Sequence, residues 1–133
     1  MAAPNIVNVA TINGSIAYQA LTNTNNVSLV SNAAASNTVF KINNIFVSNV
    51  NGVSAATVTL SYMASANAVT NGTLTTATGT AYRIAYQISV PANTTLMLLD
   101  KAGAIYLPEN ASLAIQAGTA GYLEVVASYE TIA

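Results

Sequence analysis

Cysteine and histidine are both missing from this 133-residue chain, and so is tryptophan. Without cysteine no disulfide and no thiolate metal site can form, and the redox compartment is left open. Without histidine and cysteine most nucleophile–base pairs and the usual zinc sites are excluded. Charge is scarce too. Lys41, Arg83 and Lys101 stand against Asp100, Glu109, Glu124 and Glu130, a formal net charge of −1 and 5% of the residues. A soluble domain ordinarily carries about a quarter. Three dispersed cations cannot offset a phosphate backbone, so nucleic acid is not an expected partner. No apolar run nears the ~18 residues of a membrane span, and TLMLL is the densest patch. No membrane partner is expected. MAAPNIVNV lacks the basic start and apolar core of a signal peptide.

What fills the chain instead is Asn, Thr, Ser, Ala and β-branched residues, arranged as short alternating runs between turn signals. TAYRIAYQISV, 80–90, places Tyr82, Ile84, Tyr86, Ile88 and Val90 on one face and Ala81, Arg83, Ala85, Gln87 and Ser89 on the other. Pro91 closes it. In SAATVTLSYM, Ala56, Val58, Leu60 and Tyr62 share a face, with Thr57, Thr59 and Ser61 outward. Tyr62, Tyr82 and Tyr86 are thus expected to pack in the core. The run 39–50 slips phase at Asn43-Asn44, which predicts a β-bulge. Leu113, Ile115 and Ala117, then Leu123, Val125, Ala127 and Tyr129, alternate around GTAG and read as a hairpin. Weaker strands are expected over 5–12, 15–21, 27–31, 94–100 and 104–107, with a loop at 31–37. Asn-Gly at 13–14, 51–52 and 71–72 marks hairpin turns. Residues 64–79 form the longest stretch without alternation, a length uncommon unless functional or docked.

The expected fold is one all-β domain over 1–133, an antiparallel β-sandwich, jelly-roll-like or immunoglobulin-like. Residues Met1–Val9 are a candidate extended arm toward a neighbour, or else an ordinary first strand.

Reactive chemistry finds little support. Glu124 and Glu130 lie six residues apart on one strand, ~20 Å at ~3.3 Å each, too far for a glycosidase pair at roughly 5–10 Å. A Ser-Lys pair through Lys41 or Lys101 has nothing to place it. LLDKAG offers a single carboxylate where calcium needs several oxygens. Gly118-Thr-Ala-Gly121 lacks the lysine of a phosphate loop. Asn-x-Ser/Thr at Asn13, Asn26, Asn71, Asn93 and Asn110 is what an Asn-, Ser- and Thr-rich chain produces by chance. No catalytic, metal or cofactor residue is assigned, no cofactor is expected, and no binding residue is singled out.

A resemblance adds to this. MAAPNIVNVATI, FKINNIFVSNVNGVSAATVTL, GTAYRIAYQISVPANTTLMLLDKAGAIYLPENASLAIQA and GYLEVVASYETI resemble small structural proteins of marine tailed bacteriophages, cyanophages among them. The likeness spans most of the chain and rests on strand and corner patterns rather than catalytic signatures. It departs at Pro108-Glu109-Asn110, where many such proteins carry an acidic E-G-D, so no ion site is carried over. The resemblance implies a non-enzymatic β-sandwich virion component assembled in the host cytoplasm. The first expectation is a capsid decoration or cement protein bridging capsid subunits. Its partners would be the major capsid protein or other virion proteins, with a homo-oligomer, a trimer among the options, expected from the low charge. The alternative is a neck, tail or fibre domain binding a host receptor or glycan through the loops 64–79 and 23–26.

Overall fold

The computed structural model describes residues 10–133; the candidate arm, Met1–Val9, lies outside the described residues. The strands are β1 (Ile12–Leu21), β2 (Val27–Asn32), β3 (Val39–Asn49), β4 (Ala56–Met63), β5 (Ala81–Val90), β6 (Thr95–Leu99), β7 (Ile105–Leu107), β8 (Ala111–Ala117) and β9 (Leu123–Ile132). They form two antiparallel sheets packed face to face, an all-β sandwich. One sheet runs β1-β9-β3-β6, with β7 also pairing β3, and the other runs β2-β8-β4-β5. Strand β6 pairs Ile45–Ser48 and β7 pairs Phe40–Ile42, so the two share one flank of β3. Counting them as one position gives eight positions, wound in the order of a jelly roll.

The winding follows from alternation. Ile42, Ile45 and Val47 of β3, Val58 and Leu60 of β4, Leu113 and Ile115 of β8, and Leu123 and Val125 of β9 are fully buried in one cluster between the sheets. Each such side chain contributes roughly 1.5–3 kcal/mol by leaving water. The phase slip in β3 is the expected bulge: its register against β9 shifts between Ile42 and Asn44. Asn43 then points its amide at Glu130 Oε1, 2.9 Å away.

Three turn expectations are corrected. Asn13-Gly14 is not a turn; both residues lie within β1, opposite Thr131 and Glu130. The stretches around Asn51-Gly52 and Gly118–Gly121 are not hairpins, because β3 and β4, like β8 and β9, belong to different sheets. They are corners between sheets. Alternation is the same in both cases, since either way one face of each strand meets the common core. The first corner is held by amides. Buried Asn49 donates to Ser54 O (3.0 Å) and Val90 O (2.9 Å), and Asn51 Oδ1 accepts from the N–H groups of Val53 and Ser54. The third Asn-Gly, 71–72, is a tight turn: Gly72 has φ +82°, which favours glycine, and Thr73 N–H donates to Thr70 O.

Of the loop expected over 31–37, Ser31 and Asn32 belong to β2 and only 33–37 are loop, built on buried Asn32. Its amide donates to Thr38 O and Leu107 O, and its Oδ1 accepts from the Ser36 and Thr38 hydroxyls. All four bonds of this buried side chain are made, which is what makes a buried amide affordable.

Candidate functional site

Strands β1 and β2 are the edges of the two sheets on one rim of the sandwich; β5 and β6 are the edges on the other. The two rims are treated differently by the chain.

On the first rim, residues 64–79 act as a strap. The strap leaves β4 over the outer face of the second sheet, where Ser112 Oγ donates to Ser65 O and Asn67 bonds Ser31 and Ser112. It then runs along the free edge of β2: Ser28 N–H donates to Thr75 O, and Ala77 N–H to Asn26 O. It reaches β1 through Gln19 Nε2 to Thr70 O (2.8 Å), Asn71 Nδ2 to Ile16 O (3.1 Å) and Gly72 N–H to Tyr18 O (3.0 Å). Leu74 packs against the main core. Met63 is buried outside that core cluster, and a Cβ on Gly79 would stand 3.9 Å from its Cε. The long unpatterned loop is therefore an edge cover made from backbone and amide bonds. Neither it nor 23–26 contains tyrosine.

Among the described residues the second rim has no strap. On β5, Tyr82 and Tyr86 are 59% exposed, Ile84 41% and Ile88 40%, and Met97 of β6 is 49% exposed. This corrects the expected core packing of Tyr82 and Tyr86 and the single apolar face of β5. The cause lies in the register. Val58 pairs Ile88, Leu60 pairs Ala85 and Ser61 pairs Arg83, so β5 carries an extra residue at two places. Each bulge reverses the alternation beyond it. Gln87 sits at one of them with φ +48°, its N–H bonded to Thr59 Oγ1 at 3.0 Å. Thr59, expected outward, is therefore buried. Tyr82 and Ile88 face the same side as Tyr62 and Val58, but at the edge, where the opposite sheet does not cover them fully.

The bulges also bring Tyr86 to the outer face. There a recess of about 270 Å³ opens, with Thr57 and Thr59 of β4, Arg83, Tyr86 and Gln87 of β5, and Gln116, Ala117 and Gly118 at the end of β8 around it. Gly118 is required by close approach: a Cβ there would stand 2.1 Å from Thr57 Oγ1. Arg83 lies over the Tyr86 ring, its guanidinium carbon 5.6 Å from the centroid. Gln116 donates through Nε2 to Thr24 O, which turns its Oε1 free of that bond. Arg83 is the one charged residue of the lining. Nothing in the sequence brings these residues together, because they lie between 57 and 118 and β5 breaks its own periodicity.

The acidic residues are dispersed in local duties. Asp100 caps the 3-10 turn Lys101–Gly103 by accepting from Gly103 N–H. Glu109 accepts from Asn37 N–H, and Glu130 from Asn43. Glu124 is exposed on β9. Lys41 stands opposite Glu130 in register. Among the described residues no three of His, Cys, Asp and Glu gather as metal ligands, and no helix is long and apolar enough to cross a membrane. No protein-family model, curated protein or solved structure matches the chain.

Proposed function

We propose that this chain is a non-enzymatic structural subunit of a tailed-phage virion, a decoration or cement protein that binds neighbouring capsid subunits. The observation that carries the reading is the open rim: four large side chains of β5 and Met97 of β6 stand exposed where the described residues supply no strap. The two bulges in β5 work against strand addition at that edge. Contact is then made by side chains, and the partner is held by buried apolar area. The scarcity of charge lowers the desolvation cost of covering such a surface. Many weak contacts in a symmetric array supply strength together. The resemblance of the sequence to phage structural proteins supports the virion setting, and a jelly roll is a common architecture of capsid domains, although fold alone does not assign function.

The test is the ratio of this protein to the major capsid protein in purified particles, by quantitative mass spectrometry. A fixed, high ratio, with particles that lose heat resistance when the protein is stripped, is the expected result. A few copies per particle would move it to the neck or tail, and absence from particles would remove the virion reading.

One observation favours a second reading, a tail- or fibre-associated domain that binds a receptor or glycan. It is the polar recess beside Arg83, which sits on a sheet face rather than in the loops first suspected.

A further inference from the structure

We propose that the recess bounded by Arg83, Tyr86, Gln87, Gln116 and Thr57 is a binding site for an acidic saccharide, a sugar ring bearing one carboxylate. The inference rests on the second reading above, and names the ligand class for that site.

The chemistry of the lining selects the ligand by steps. Arg83 presents a planar fork of donors and no acceptor, and remains charged at any physiological pH. No carboxylate lines the recess to neutralise it, so a cation is disfavoured and one negative charge is favoured. Of the anions, a carboxylate matches the fork in a bidentate manner and needs a single compensating charge. A phosphate monoester bears more charge than one guanidinium balances, and the other cations, Lys101 and Lys41, are not part of the lining. The remaining groups are neutral and of mixed sense: the Thr57 hydroxyl donates and accepts, the Gln87 amide does both, and Gln116 offers Oε1 while its Nε2 is held by Thr24 O. Such a ring of neutral donors and acceptors matches sugar hydroxyls and offers little to a purely apolar acid. Tyr86 adds an exposed aromatic face, already preorganised because the guanidinium lies over its ring.

Size and rigidity fit the same class. At about 270 Å³ the recess lies just under the roughly 300 Å³ where small-molecule sites begin, room for one ring and not for an oligosaccharide. Its floor is the body of a sheet, which holds site geometry better than loops do. Thr59 spends its hydroxyl on the Gln87 N–H, so the bulge that turns Tyr86 and Gln87 toward the recess is fixed from beneath. Gly118 leaves space where a Cβ would collide with Thr57 Oγ1.

The experiment is an amide-resolved NMR titration of the intact protein with glucuronate, with glucose and acetate as matched probes, from ~0.1 to ~50 mM to bracket a millimolar Kd. The expected result is saturable glucuronate shifts confined to Thr57, Arg83–Gln87 and Gln116–Gly118. Glucose and acetate should each bind at least about tenfold more weakly, since each supplies half of the recognised chemistry. Arg83 is exposed, so Arg83→Gln folds normally by its own spectrum and loses about tenfold or more of the glucuronate affinity, whereas Arg83→Lys loses less. Acetate equal to glucuronate, or glucuronate binding unchanged in Arg83→Gln, overturns the acidic-sugar assignment. Neutral sugars binding at the recess while glucuronate does not would also overturn it, and would leave the glycan-binding reading standing. Silence from every probe would remove both.

Discussion

The two rims of the sandwich solve the same problem in opposite ways. Each has two sheet edges whose backbone groups could recruit another strand. On the β1/β2 rim the chain spends residues 64–79 on a strap that pairs with β2 at Ser28 and with β1 at Tyr18, and that sets Leu74 against the core. On the β5/β6 rim the described residues supply no cover, only two bulges and one charge in the strands, Arg83. The apolar side chains there are left in water. The difference teaches that the two rims differ in how their backbone edges are satisfied, by a strap at β2 and β1 and by bulges at β5. Among the described residues the chain ties down a sheet edge with backbone bonds at one rim only; Ile12, Ile16 and Tyr18 of β1 stay 52%, 56% and 47% exposed even there, so what sets the β5/β6 rim apart is its unbonded edge.

The largest expected effect comes from breaking the closed rim. Leu74→Ala removes a half-buried side chain that packs on the core from the strap. A loss of about 2 kcal/mol, at the low end for such truncations, is expected in urea unfolding. For a chain of this length that lowers Tm by about 4–8 °C. Protection of the Ser28 and Gly72 amides against hydrogen exchange should fall further than that of β8, since their bonds to Thr75 and Tyr18 belong to the strap. Unchanged stability would mean that the strap is ornament and the comparison between the rims is empty.

A smaller effect sharpens the comparison from the side of β5. Thr59→Val keeps the shape of the buried side chain but removes the acceptor of the Gln87 N–H bond. About 1 kcal/mol is the expected cost, with chemical shift changes centred on 84–88. Thr57→Glu and Thr59→Glu are not equivalent probes, although alternation sets both residues outward, because Thr59 is buried and a charge there would unfold the bulge rather than test a contact. If Thr59→Val leaves both stability and the 84–88 resonances untouched, the bulge is not held from beneath and the recess has no fixed wall.

These particulars show where the sequence is legible. The two-sheet fold follows from alternation in β4, β8 and β9, and the bulge at Asn43 follows from the phase slip between Ile42 and Ile45, because a core-facing period of two leaves a trace whenever it is broken in a long apolar run. Which strands are neighbours does not follow: β3–β4 and β8–β9 alternate as hairpins would, and only the second sheet decides between turn and corner. The strap is silent because it works through backbone carbonyls and the amides of Asn67 and Asn71, which carry no hydrophobic period. On β5 the pattern misleads. Tyr82 to Val90 alternate perfectly in the sequence, yet two extra residues divide that set between two faces, so Tyr86 joins Thr57 and Gln116 and not the core.

The smallest effect on folding should come from the open rim, and there the readouts separate. Replacing Tyr82 and Ile84 together by lysine puts two charges where the side chains are already 59% and 41% exposed. Surface changes away from buried features usually stay within about 0.5 kcal/mol each, so the midpoint of unfolding should hardly move. Incorporation into particles, or self-association in solution, should fall sharply instead, because a partner covering this rim would have to desolvate two ammonium groups. The same substitution on a rim that belongs to the folding core would give the reverse: a loss of well over 1 kcal/mol, and association changed only in proportion. Should that reverse be observed, β5 would be an inner strand whose exposure is incidental, and the contrast with the strapped rim would concern stability rather than partners.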